Sequence, residues 1–368
     1  MIKMKRTLAA LVLAMLVFSP AFAQKAPKNE KVRNIIFLIG DGMGLGAASA
    51  WMLENGYQQT CFDRAQFVGI AKTYSANNRV TDSAASGTAM ATGEKTNNGM
   101  LGMKPDGSEP ASIAELAKAK GMKTGVIVTS YVLDATPGAF FAHAKGRGEN
   151  KDIVHDFMQN RTDILAGGGR KYFTDPKYTD ENLIEKLCSE GYTYCATPEE
   201  FYAAPAAPVI GLFSDGSYPG AAEHGTDYLR DVMTHSLSLL EGKKGFFVMV
   251  EGSHIDHAAH ANNPQDLMFE MEEFDKCVNA AFDYADTHKG TLVVVTADHE
   301  TGGVSLLSNN KDYTQGESGI DIKFATTGHS GVPVMVYAYG ASAWKFSGVM
   351  ENTDLFKKMK ELLIDGKK

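Results

Sequence analysis

Five uninterrupted apolar runs, with helical patterns between them, restrict this chain to few architectures. The first covers residues 34–39 (NIIFLI), and others lie at 124–128, 246–250, 291–296 and 333–339. A strand with one wet face alternates apolar and polar residues. A run without polar interruption predicts a strand covered on both faces. Helical periodicity fills the intervals at 112–120 (SIAELAKAK), stopped by Gly121, and at 268–285. Buried strands alternating with helices predict an α/β fold: a three-layer sandwich with a mainly parallel central sheet and helices on both faces.

In open sheets of this kind, ligands bind beyond the carboxyl ends of the strands. The first run leads into Gly40-Asp41-Gly42-Met43-Gly44. The run at 246–250 leads into Glu251, then Asp256, His257 and His260. The run at 291–296 leads into Asp298-His299, and His329 lies just before the last run. Asp256 and His260 are four residues apart and share a face if helical. So many ionisable groups in one dry cleft would repel one another unless cations neutralised them. Mixed imidazole and carboxylate sets suit Zn²⁺, and oxygen sets suit Mg²⁺.

Residues 81–89 (TDSAASGTA) are small. Asp82 or Ser83 suits a helix N-cap, and small side chains after it would let an anion approach the helix N-terminus. A serine there, touching a metal, could ionise and attack phosphorus.

Composition narrows the class. At 44% hydrophobic and 22% charged residues, the chain is neither disordered nor a polytopic membrane protein. A formal charge of −8 argues against a nucleic-acid surface. The N-terminus carries Lys3, Lys5 and Arg6, an apolar run at 8–18 and Ala21-Phe22-Ala23. That predicts a signal peptide over 1–23, export (periplasm over full secretion), and no membrane span in the mature chain. Residues 24–368 then form one catalytic domain, elaborated around 170–225. Export also makes a Cys188–Cys195 disulfide plausible, and leaves pairing of Cys61 with Cys277 open.

Several segments, in this order, carry a resemblance: Gly-Asp-Gly-Met-Gly at 40–44, Thr-Asp-Ser-Ala-Ala-Ser at 81–86, Asp-Ala-Thr-Pro at 134–137, and Ala-His at 142–143 followed by Arg147. Gly-Gly-Gly-Arg-Lys-Tyr at 167–172, Glu251 through His260, Thr-Ala-Asp-His at 296–299 and Gly-His-Ser at 328–330 complete the series. From about residue 34 to 340 the chain resembles the alkaline phosphatases. The resemblance implies two Zn²⁺ and one Mg²⁺. Ser83 is implied as the nucleophile that forms a phosphoserine. Asp256, His260 and His329 are implied as ligands of one zinc, and Asp41, Asp298 and His299, joined by Ser83, as ligands of the other. Asp41, Thr136 and Glu251 would hold magnesium, with Asp134 reaching it through water. Arg147 would clamp the phosphoryl group, oriented by Asp82.

His257 stands where the best-studied bacterial members have Lys, whereas Asp134 keeps the bacterial choice. His257 is therefore expected near the third ion, as an outer or phosphate-facing group. The implied activity is phosphate monoester hydrolysis, and the family allows a homodimer. The rival readings are a phosphodiesterase or sulfatase of the same superfamily, and a non-catalytic periplasmic metal- or phosphate-binding protein.

Overall fold

The computed structural model describes residues 30–309 and 319–366. The expected signal peptide lies outside the described residues.

The first strands are β1 (Asn34–Gly40), β2 (Phe67–Lys72), β3 (Lys123–Tyr131), β4 (Ile164–Gly168), β5 (Thr193–Cys195) and β6 (Val209–Leu212). They are followed by β7 (Phe246–Gly252), β8 (Thr291–Thr296), β9 (Glu300–Thr301) and β10 (Ser305–Ser308). The last are β11 (Ile320–Lys323), β12 (His329–Ser330), β13 (Val334–Gly340) and β14 (Gly348–Glu351). Ten of them form one sheet in the order β14-β2-β13-β8-β1-β7-β3-β4-β6-β5. β1 sits between β7 and β8, parallel to both, and every residue from Ile35 to Gly40 is buried. Its apolar run thus has the two covered faces that its composition requires.

Among the described strands of this sheet, β13 alone runs against its neighbours, β8 and β2. This reversal matters for position. The residues before β13 emerge at the same edge as the residues after the parallel strands, so His329 joins that edge from the opposite chain direction. β12 then pairs antiparallel with β9, setting His329 opposite Thr301.

The expected helix at 112–120 is Ile113–Ala119, capped by Ser112 and Glu115 in a reciprocal capping box. The one at 268–285 extends over Pro264–Thr287, because Asn263 caps it and Pro264 opens it. Within residues 170–225, β5 and β6 add parallel strands to one edge of the sheet.

The expected Cys188–Cys195 bridge is not formed. Cys188 is exposed at the end of the Leu183–Ser189 helix, whereas Cys195 is buried at the end of β5, so one thiol faces water and the other the core. Cys61 and Cys277 are both buried and likewise free. Among the described residues, no helix is long and apolar enough to cross a membrane.

Candidate active site

The carboxyl edge of the sheet gathers the polar residues. Asp41 follows β1, Glu251 is the second-last residue of β7, and Asp298-His299 follows β8. Asp134 caps the short Ala135–Gly138 turn after β3, and that turn carries Thr136. Asp256, His257 and His260 lie on the His254–His260 helix after β7. Ser83 is the first residue of the Ser83–Thr92 helix, and Asp82 caps it by accepting from the Ala85 N–H at 3.0 Å. That helix is pinned to the site from its inner face. The Ser86 hydroxyl donates to the Asp298 carbonyl at 2.6 Å, and Asn352 donates to Ser86 Oγ at 3.0 Å.

Ser83 Oγ lies 3.1 Å from His299 Nε2. The same nitrogen is 3.1 Å from Asp298 Oδ2 and 3.5 Å from Asp41 Oδ1. Nearby, His260 Nε2 is 3.2 Å from Asp256 Oδ2 and 3.2 Å from His329 Nε2. Two close groups emerge: Asp256, His260 and His329, and Asp41, Asp256 and His299, each with its ligand atoms within 4.8 Å of one another. Asp256 therefore belongs to both. The sequence reading set Asp298 in the second group, and Asp298 does remain in contact with His299.

Backbone and hydroxyl partners set the ring tautomers. The Thr301 hydroxyl donates to Asp256 Oδ1 and is 3.1 Å from His299 Nδ1, so it accepts from an Nδ1–H. His329 Nδ1 is 2.8 Å from the Thr81 carbonyl, and His260 Nδ1 meets the Thr327 carbonyl. A carbonyl only accepts, so these rings too carry hydrogen on Nδ1. When neutral, all three imidazoles turn an Nε2 lone pair inward. His260 and His329 then aim theirs at each other, which repels unless a proton on one of them or a metal cation lies between them. This is the outer-partner arrangement typical of metal-ligating histidines.

The carboxylates say the same. Among the described residues, Asp41 Oδ1, Asp298 Oδ2, Glu251 Oε2 and Thr136 Oγ1 are buried without a hydrogen-bond partner. Burial, with Asp298 and Asp256 close by, pushes the Asp41 carboxyl well above its usual range. Burial and then Asp134 do the same to Glu251. Burial works against ionised Asp256 as well, but His260, His299 and Thr301 outweigh it and hold the carboxyl low. The Asp256 contact raises His260 to about 9. Three buried carboxylates with unpartnered oxygens so close together are stable only if protons or cations neutralise them. The donor set fits Zn²⁺ at the imidazole end and Mg²⁺ at the Thr136–Glu251 end.

Arg147 closes the cleft. Its Nη2 is 3.2 Å from Asp134 Oδ1, and its Nη1 is 3.7 Å from Asp82 Oδ2. Asp82 is itself held by the N–H of Gly99 at 2.9 Å. One guanidinium edge is thereby fixed by two carboxylates, and the partly exposed group remains available to an anion.

The family model of the alkaline phosphatases matches residues 32–318 and 308–364. The chain belongs to the alkaline phosphatase family. It is 33% identical to alkaline phosphatase 4 of Bacillus subtilis, over 94% of this chain and 92% of that relative. It is 30% identical to the alkaline phosphatase of Escherichia coli, over 91% and 87% of the two chains. Its fold matches the structure of alkaline phosphatase from the Antarctic bacterium TAB5 at a TM-score of 0.84 and 33% identity, covering 91% of this chain and 99% of that one. A His-to-Asp variant of the TAB5 enzyme, described with Mg bound in its M3 site, matches at 0.84 and 32%. As a phosphatase of this family, the chain is a phosphomonoester hydrolase.

Sequence reasoning missed several partners within this phosphatase site. Thr301 ties Asp256 to His299, and the Gly42 N–H donates to Asp298 Oδ1 at 3.0 Å. Nothing local marks Thr301. Its role arises only because β9 runs beside the His254–His260 helix. His254 was also passed over, and the structure places its Nδ1 2.8 Å from His257 Nδ1.

Proposed function

We propose that this chain hydrolyses phosphate monoesters to an alcohol and inorganic phosphate through a phosphoserine on Ser83. The observation that carries this reading is the Ser83 hydroxyl, at a helix N-terminus, 3.1 Å from His299 Nε2 and among buried carboxylates without partners. In the first step, Ser83 Oγ gives up its proton and bonds to phosphorus while the bond from phosphorus to the substrate oxygen breaks, and that oxygen takes up a proton to leave as the alcohol. In the second, water gives up a proton and attacks phosphorus, Ser83 Oγ leaves and regains a proton, and phosphate is released. Arg147 binds two unesterified phosphoryl oxygens as a fork, which favours monoesters over diesters.

In this reading, Asp256, His260 and His329 hold one Zn²⁺, and Asp41, Asp298, His299 and Ser83 hold a second. Asp41, Thr136 and Glu251 hold Mg²⁺, with Asp134 bonded through water. The Mg-bound relative supports the choice of third ion. Bound at these positions, such cations supply Lewis acidity, a lowered pKa for the serine and for water, and stabilisation of the leaving alkoxide.

The basic and apolar N-terminal residues support export to the periplasm, and homodimerisation accords with family habit. The test is turnover of p-nitrophenyl phosphate beside the matching diester and sulfate, with acid trapping of phosphoenzyme. Monoester preference and a label on Ser83 are expected. Preference for the diester or sulfate, or a label elsewhere, overturns the reading.

A further inference from the structure

The three site histidines described above each have their tautomer set by an oxygen. His257 differs, because its Nδ1 faces another imidazole, His254 Nδ1, at 2.8 Å. The two residues are three apart on one helix, so their side chains are neighbours on its face. Two imidazole nitrogens at this distance must share one hydrogen, and the direction of that bond decides what His257 can do.

The other end of His254 settles the direction. His254 Nε2 lies 2.8 Å from the Tyr218 carbonyl oxygen. A carbonyl cannot donate, so His254 Nε2 carries the hydrogen. That carbonyl is held in place. The Tyr218 N–H is donated to the Ser130 carbonyl at the end of β3, and the Tyr218 ring stacks on Tyr228 with centroids 4.5 Å apart. His254 is buried, with no carboxylate among the described residues in hydrogen-bond contact, so its ring stays neutral. A neutral ring with hydrogen on Nε2 has a lone pair on Nδ1. His254 Nδ1 therefore accepts, and His257 Nδ1 donates.

We propose that His254 is a positioning residue that holds His257 as its Nδ1–H tautomer, so that the exposed His257 ring, next in the chain to Asp256, carries its lone pair on Nε2. The chain runs from the Tyr218 carbonyl through His254 to His257, from the segment preceding the long helices to the helix that carries Asp256 and His260. It gives His257 the same ligand-ready form as His260, His299 and His329, using an imidazole in place of an oxygen. The consequence is chemical. A lysine at position 257 could only donate to a phosphoryl oxygen. His257 in this form accepts, from a metal-bound water or an alcohol hydroxyl, or ligates a metal ion directly. The functional part of this inference rests on the phosphatase reading; the tautomer does not.

The test is nitrogen NMR of the histidine rings in the Zn²⁺- and Mg²⁺-loaded protein, without substrate, in wild type, His254→Leu and His254→Asn. Wild type is expected to show His257 with hydrogen on Nδ1 and an unprotonated Nε2. His254→Leu removes the acceptor, and the ratio of Nδ1–H to Nε2–H His257 should fall by about tenfold, the worth of one hydrogen bond. His254→Asn keeps an oxygen near the lost Nδ1 and should restore most of the wild-type ratio, which a purely packing role would not do. Hydrogen on His257 Nε2 in wild type, or an Nδ1–H form that persists in His254→Leu, overturns the proposal. The wild-type spectrum decides the matter even if a variant fails to fold. Failure of the phosphatase reading would show separately, as lack of p-nitrophenyl phosphate turnover with the tautomer unchanged.

Discussion

Ser83 Oγ and His299 Nε2 are 3.1 Å apart, although 216 residues separate them in sequence. The hydroxyl starts a helix capped by Asp82, and the imidazole follows β8 at the next strand tip but one. His299 is fully buried, and Thr301 fixes its tautomer. The contact thus sets the hydroxyl between an anion-attracting helix end and a nitrogen able to ligate a metal, and both favour its ionised form once a cation is bound.

Replacing Ser83 by Ala removes the attacking oxygen while keeping the helix cap on Asp82. Turnover of p-nitrophenyl phosphate should fall by several orders of magnitude, with zinc content and phosphate binding retained. Near wild-type turnover in that variant would show that Ser83 is not the nucleophile. Steady-state kinetics with metal analysis gives the answer.

Arg147→Ala removes the fork held by Asp82 and Asp134. Charge-assisted bonds of this kind contribute about 1.5–3 kcal/mol, so kcat/KM for monoesters should drop roughly ten- to hundredfold. Most of the loss should fall on KM, and inhibition by inorganic phosphate should weaken in parallel. Diester turnover, low in wild type, should change little. Unaltered phosphate inhibition would remove Arg147 from the binding site.

Gly42 has φ +71°, and a Cβ there would stand 2.8 Å from both Asp256 Oδ1 and Thr301 Oγ1. Gly42→Ala should break the Asp256–Thr301–His299 chain and weaken zinc binding by about tenfold or more. Gly107, with φ +84° and nothing within 4 Å of a built Cβ, supplies the control. Gly107→Ala incurs only the backbone cost, about 1–2 kcal/mol. Equal zinc affinity in the two variants would mean that the contact at Gly42 is unimportant.

Chelation should abolish turnover, and Zn²⁺ with Mg²⁺ should restore it. The buried Asp41 and Glu251 carboxyls lie well above their usual range and His260 at about 9, so the metal-free protein holds extra protons near neutral pH. Metal binding must release them. Calorimetry in two buffers of different ionisation enthalpy should therefore show net proton release. A buffer-independent enthalpy would contradict this account of the site.

Away from the catalytic edge, burial raises Glu270 to about 7 and Glu273 to about 8, from an ordinary value of 4.5. A carboxyl raised in the folded state opposes folding wherever the unfolded chain would ionise it. The cost is nil below about pH 4.5, grows as pH rises, and is complete above about pH 8. Glu273→Gln still accepts from the Leu229 N–H but carries no charge. Its Tm should exceed that of wild type at pH 9 and match it near pH 4.5. A constant difference across that range would mean that ionisation of Glu273 is not its source.

The sequence by itself determined five of the ten strands of the main sheet, its mainly parallel character and the residues at several strand tips. Unbroken runs such as residues 34–39 survive only inside a sheet covered on both faces, and carboxylates placed directly after such runs must sit at its carboxyl edge. The i,i+4 spacing of Asp256 and His260 was equally local, because one helical turn brings them together whatever surrounds them. The ends of the long helix were less legible, since Asn263 and Pro264 extend it beyond its apolar pattern.

Only the tertiary structure decided the rest. His329 precedes its strand, so it reaches the site only because β13 runs against the other strands, and chain direction within a sheet leaves no mark on an apolar run. The free Cys188 and Cys195 make the same point: a short spacing in sequence could not say that one side chain faces solvent and the other the core. Thr301, Tyr218 and His254 act through one or two hydrogen bonds each, chiefly to residues distant in sequence or on another turn. A hydrogen bond depends on distance and direction to within a fraction of an ångström, and only the packed chain sets those.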